Sequence, residues 1–199
     1  MVKINECKLD EIRKKALENK VPIIMDDTLE VIEKELLQNP PKRILEIGAA
    51  VGYSAICFTK YLAEDGHIDT IERDEERIIE AEKNIKDMEV EEKVTLYKGD
   101  AVEILPTLNG KYDMVFIDAA KGKYPFFLNE AIRMLNSKGI IFADNILYKG
   151  YVLGDYNKHK QRTAVRNLRE YLKMTTENPD FDTEILEVGD GLAISKKKE

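Results

Sequence analysis

Short apolar runs alternate with stretches of helical periodicity along most of the chain, the rhythm expected of βαβ units that build a parallel sheet. RILEI (43–47), HIDTIE (67–72), VTLYK (94–98), YDMVFI (112–117) and GIIFA (139–143) are predicted strands. The later ones are nearly continuous in apolar residues, as strands covered on both faces are. Between them, residues 54–63 place Ile56, Tyr61 and Leu62 near one face, and residues 74–88 do the same with Ile78, Ile79, Ile85 and Met88. Both read as crossover helices, with the right-handed connection such units take. Upstream, residues 7–19 and 28–37 predict two helices, the second stopped by Pro40 and Pro41. After residue 150 come a Gly- and Tyr-bearing loop, a basic helix at 162–173, and two runs, TEILEV (183–188) and GLAISK (191–196), separated by Gly189 and Asp190. A gap of two residues predicts a hairpin and an antiparallel last strand. The expectation is one domain over 1–199: an α/β, doubly wound, mostly parallel seven-stranded sheet with helices on both faces.

Composition narrows the setting. A chain of 199 residues with 43% hydrophobic and 35% charged positions suits one globular core. No apolar run is long enough for a bilayer, and the charged N-terminus lacks the apolar stretch of a signal peptide, so the expected location is the cytoplasm. Cys7 and Cys57 are too few for a disulfide framework and lack metal-site spacing.

Candidate chemistry lies where strands end. In LEIGAAVGYSA (45–55) the dinucleotide pattern G-x-G-x-x-G fails, because Ala50 and Tyr53 occupy its second and third glycine positions. What remains is Glu46, Gly48 and Gly52, with Glu72 closing the second strand as a carboxylate suited to a ribose diol, and Gly99-Asp100-Ala101 after the third. Glycines that only permit a tight turn, and a Glu72 that only belongs to the acidic run ERDEER, are the bland alternatives. Two further strands end on Asp118 and on Asp144-Asn145, 26 residues apart. Neighbouring parallel strands lie about 4.8 Å apart, so these oxygens can share one ion. Oxygen donors without His or Cys favour a hard cation, Mg²⁺ before others. The alternative is that both aspartates cap following helices.

On these motifs the chain resembles the class I S-adenosylmethionine-dependent methyltransferases, of Rossmann-like fold, and DAAKGKY followed by ADN resembles their metal-dependent catechol and caffeoyl-CoA O-methyltransferase group. The resemblance implies S-adenosylmethionine contacts from Met25, Glu46, Gly48, Gly52, Ser54 (to the methionine carboxylate), Glu72 (ribose), Asp100 and Ala101 (adenine), and Asp118. It implies a catalytic centre of Asp118, Lys121, Asp144 and Asn145, the last two and Asp118 as ligands of Mg²⁺ or another divalent cation. Lys121 is then the base, since a nearby positive charge favours the neutral amine. It also implies a homodimer, and N-terminal helices (1–40) covering the active site.

The acceptor is less directly written. The stretch NKVPIIMDD (19–27) resembles the bacterial tRNA 5-hydroxyuridine methyltransferases, which make 5-methoxyuridine at the wobble position and whose acceptor base carries two vicinal oxygens as a catechol does. Net charge is −7, yet residues 149–173 balance at +5, leaving −12 for the rest. Arg162, Arg166, Arg169 and Lys173 share one face of the basic helix, and Lys149, Lys158 and Lys160 precede it. This is an RNA phosphate stripe or a solvated face. Tyr148, Tyr151 and Tyr156 are candidates for stacking on bases, lining a phenol pocket or forming a dimer contact. A small phenolic acceptor uses every catalytic residue named above, and a non-catalytic or NAD-binding Rossmann module is the reading from another class. His67 and His159 give a hydrolase triad little support.

Overall fold

Runs rich in β-branched and aromatic residues pair as parallel ladders in the computed structural model, which describes residues 3–154 and 161–199. Tyr156, Lys158, His159 and Lys160 lie outside the described residues. The chain divides into two compact units, Met1–Leu108 and Asn109–Glu199. Among the described residues, seven strands run in the order 94–98, 67–72, 43–47, 112–117, 135–143, 192–197 and 181–186.

The first unit holds α1 (Glu6–Glu18), α2 (Asp26–Gln38), β1 (Arg43–Ile47), α3 (Tyr53–Thr59), β2 (His67–Glu72), α4 (Glu75–Asp87), β3 (Val94–Lys98) and α5 (Ala101–Ile104). β2 pairs in parallel with β1 and β3, in a register that sets Glu46 beside Thr70 and Glu72 beside Lys98. α1 and α2 both pack on α3. Arg13 holds them together by donating to both carboxylate oxygens of Asp26, at 3.0 and 2.5 Å.

α3 is shorter than the 54–63 predicted. Past Thr59 the N–H groups reach back only three residues, as in Tyr61 to Phe58 at 3.0 Å, and Ala63 bonds to Pro41 instead. Ile79 is a second correction. The buried side of α4 is Ile78, Ala81, Asn84 and Ile85, and Ile79, one residue or 100° round from Ile78, is 68% exposed.

The second unit holds β4 (Tyr112–Ile117), α6 (Tyr124–Met134), β5 (Leu135–Ala143), α7 (Arg162–Thr176), β6 (Phe181–Leu186) and β7 (Leu192–Lys197). β4 and β5 are parallel, with Ile117 beside Ala143. β7 is antiparallel to both β5 and β6, as the sequence predicts for a last strand. β5 starts at Leu135, four residues earlier than predicted, because the polar NSKG reads as a turn. It is instead an irregular stretch of strand: the β4 pairing slips between Tyr112 and Met114, with Lys138 at φ 61°. The hairpin loop runs over residues 187–191 rather than two residues. Gly191 turns it at φ 92°, where a Cβ would sit 2.3 Å from Leu147 Cγ. Among the described residues no helix is long and apolar enough to cross a membrane.

Candidate active site

In the first unit, the turn after β1 is built from backbone. Gly48 and Ala49 both donate to Ile71 O at 3.0 Å, and Gly52 donates to Ala49 O at 2.8 Å before starting α3. Gly48 at φ 105° and Gly52 at φ 79° occupy backbone that side chains disfavour, and Ala50 is left-handed too at φ 45°. Beneath the turn Glu46 is fully buried. It accepts from Ser54 Oγ at 2.5 Å and from the Thr70 hydroxyl on the next strand. The Ser54 proton therefore points at Glu46, so a methionine carboxylate would meet only acceptor capacity at that hydroxyl.

Glu72 is also buried, and it latches the turn. Its Oε2 accepts from Ala50 N–H at 2.8 Å, and its Oε1 accepts from Arg73 and Asp74 N–H at 2.9 Å each. Two carboxylate oxygens offer about four acceptor sites, which leaves room for one ribose hydroxyl. Asp100 caps α5 through Val102 N–H at 2.9 Å and meets Arg73 at 3.3 Å, while Ala101 is buried in the first turn. Met25 starts α2 and is 51% exposed, with no side-chain cap bond. Thr70 and Arg73 escaped the sequence reading, because nothing in a lone Thr or Arg reports a neighbouring strand.

In the second unit, the register answers why two strands 26 residues apart end on aspartate. Asp118 and Asp144 each lie one residue beyond the paired Ile117 and Ala143, and Asp144 N–H bonds to Ile117 O at 3.0 Å. Neither carboxylate caps a helix: Asp144 Oδ1 takes the N–H of Asn145 at 2.7 Å, and the short turn Lys121–Lys123 has no side-chain cap. Lys121 Nζ donates to Asp118 Oδ1 at 3.2 Å and to Asn145 Oδ1 at 2.6 Å. The structure thus brings the four predicted residues together.

Asp144 is 1% exposed. Burial first, and then the charge of Asp118, push its carboxyl up to about 7, against the pull of Asn145 N–H and Lys121. Among the described residues no group of three or more His, Cys, Asp and Glu gathers; the donors here are two carboxylates and an amide oxygen. That all-oxygen set, with a buried charge a cation would offset, fits a hard divalent ion such as Mg²⁺.

Stability should depend on pH through this group. A carboxyl raised above its unfolded value near 3.9 stabilises fully below about pH 4 and loses that contribution as pH rises through about 7. The metal-free protein should therefore lose on the order of a few kcal/mol between about pH 5 and pH 8. Urea unfolding at the two values checks it, and Asp144→Asn should flatten the difference.

The basic segment is only partly a free face. Arg162 and Arg166 are exposed on α7. Arg169 instead donates to the carbonyls of Val152 (3.0 Å), Tyr151 (3.4 Å) and Gly154, clamping the turn that follows Asn145. Lys173 lies 3.9 Å from Glu177. Lys149 is exposed, its N–H bonded to Asp190 at 2.6 Å. Tyr148 and Tyr151 meet edge to face, 5.9 Å between centroids. The first half of α7 packs on the turn bearing Lys121, with Asn167 Nδ2 donating to Gly122 O.

Residues 4–198 match the profile of the O-methyltransferase family. A catechol O-methyltransferase from Niastella koreensis is 34% identical over 163 residues, covering 77% of this chain and 72% of that protein. A crystal structure from Staphylococcus aureus, provisionally assigned as a caffeoyl-CoA O-methyltransferase, is 35% identical with a TM-score of 0.87, over 95% of this chain and 91% of that one. The O-methyltransferase TomG of Streptomyces achromogenes, involved in tomaymycin synthesis and solved in complex with S-adenosylmethionine, is 25% identical with a TM-score of 0.87, over 100% and 92%. These neighbours share the doubly wound, Rossmann-like methyltransferase fold that the strand pattern predicts.

Proposed function

This chain belongs to the O-methyltransferase family, as an S-adenosylmethionine-dependent enzyme of the catechol and caffeoyl-CoA type, and from that premise we propose that it methylates 5-hydroxyuridine in tRNA with the help of a divalent cation, Mg²⁺ by preference. The observation that carries the reading is the cluster of Asp118, Lys121, Asp144 and Asn145, with α7 and its exposed Arg162 and Arg166 packed on the Lys121 turn.

Glu72 takes the ribose of the cofactor, with Gly48 and Gly52 letting backbone approach it, and Asp100 with Ala101 lies toward the adenine. S-adenosylmethionine supplies the methyl group. A divalent cation held by Asp118, Asp144 and Asn145 would ease loss of the acceptor hydroxyl proton and orient a second, vicinal oxygen. Lys121 takes that proton at Nζ. The O4 and 5-hydroxyl oxygens of 5-hydroxyuridine are such a pair. An exposed cationic face serves a polyanion, since its Lys and Arg displace the counterions of phosphates, and it gives a neutral phenol nothing. Free thiols at Cys7 and Cys57 fit a reducing cytoplasm.

Nucleoside mass spectrometry of tRNA incubated with protein, Mg²⁺ and methyl donor should reveal 5-methoxyuridine. Arg162→Glu with Arg166→Glu should weaken tRNA methylation and flatten its salt dependence by about one unit of slope for each phosphate no longer neutralised, with cofactor binding unchanged. Arg169 is omitted from that pair because it holds the loop. A small catechol acceptor is the second reading, favoured by the name of the Niastella relative. Turnover of catechol, undiminished in the double variant and without any tRNA product, would establish it instead.

A further inference from the structure

Tyr124 opens α6 and is completely buried, and no role in the chemistry above uses it. Its hydroxyl donates to Asp144 O at 2.7 Å and lies 3.3 Å from Ile117 O. These are the carbonyls of the peptide joining Asp144 to Asn145 and of the peptide leading into Asp118. One proton therefore pins the ends of both strands that carry the clustered carboxylates.

The need for a pin is visible in the next residue. Asn145 stands at φ 57°, left-handed backbone that a non-glycine residue adopts at a cost. That conformation accompanies an Asn145 amide oxygen 2.6 Å from Lys121 Nζ. The Tyr124 ring is held edge to face on Tyr171 of α7, 5.6 Å between centroids, and Lys121 Nζ lies 5.9 Å from its centre. The side chain so contacts both strand ends and lies beside the lysine while being excluded from solvent.

We infer that Tyr124 is a positioning residue: its buried hydroxyl holds the Asp144–Asn145 peptide in the left-handed turn that presents the donor oxygens, and its ring backs Lys121. The inference deepens the proposed function and rests on its reading of these oxygens as cation ligands. Groups that orient a metal's ligands typically contribute about 10- to 100-fold in affinity or activity.

Tyr124→Phe removes the hydroxyl and keeps the ring. Two measurements test it. Amide hydrogen exchange of metal-free protein should quicken in peptides covering residues 143–148 and stay unchanged in those covering 45–55. The Mg²⁺ concentration giving half-maximal methyl transfer should rise about tenfold or more, with the dissociation constant for S-adenosylmethionine unaltered. Tyr171→Phe is the control, since that buried hydroxyl bonds to neither strand end; it should change neither quantity. Unchanged exchange at 143–148 in Tyr124→Phe overturns the inference. So does faster exchange throughout the chain, or the same metal shift in Tyr171→Phe, because the tyrosine would then serve packing alone. A wild-type enzyme indifferent to Mg²⁺ and to chelator would instead overturn the cation reading, while the exchange result still decides whether Tyr124 pins the turn.

Discussion

Asp144→Asn is expected to lower methyl transfer by on the order of 10³-fold, the equivalent of about 4 kcal/mol of lost charge stabilisation at the reacting oxygen. The substitution keeps shape and nearly all packing at a site that is 1% exposed. It removes one of the two negative charges in the donor set, and a divalent cation held through few protein ligands depends on carboxylate charge. The same change should leave metal-free protein as stable as wild type, or more so at about pH 8, since burial and Asp118 already oppose ionisation of Asp144. Lost activity with retained or raised stability is the pattern that separates a site residue from a structural one. Single-turnover transfer with saturating Mg²⁺, alongside urea unfolding, measures both. Asp144→Asn with more than a tenth of wild-type activity would remove Asp144 from the centre.

Lys121→Arg is expected to cost about 10²- to 10⁴-fold, the usual worth of a positioned base. Arginine keeps the positive charge and the long apolar stem, yet its guanidinium does not give up a proton in proteins. The substitution therefore separates two roles. Lys121 Nζ lies 3.2 Å from Asp118 and 2.6 Å from Asn145, so it holds those oxygens, and the proposed reaction also has it receive a proton. If holding were its whole task, arginine would preserve most of the rate. If proton transfer is the task, Lys121→Arg and Lys121→Met should fall together, and the loss should shrink for acceptors with more acidic hydroxyls. The rate measured against acceptor acidity is the deciding plot.

Much of the candidate site is legible in the sequence, and particular residues show why. Asp118 and Asp144 announce themselves because an apolar run that stops on a carboxylate is unusual for a buried strand. The spacing from Asp118 to Lys121 is local, so it survives folding unchanged. Glu72 stands out in the same way at the end of β2. Other features were illegible for a physical reason: they depend on partners far off in the chain. That Thr70 shares the Glu46 carboxylate follows from the β1–β2 register. Arg169 looked like part of a cationic stripe, and only the backbone carbonyls of Val152, Tyr151 and Gly154 show it holding a turn. Nothing in the local sequence marks Tyr124, because the two carbonyls its hydroxyl meets lie at the ends of two different strands.

The sequence by itself determined which segments become strands and helices, because periods of about 2 and 3.6 are properties of the local chain and of the solvent it avoids. It likewise determined the kinds of atoms at each strand end. Tertiary structure alone decided which of those ends are neighbours, where β5 begins, and whether a charged side chain faces water or a carbonyl. Those depend on register and burial, which arise only when distant segments exclude water from one another, and no local pattern encodes that distance.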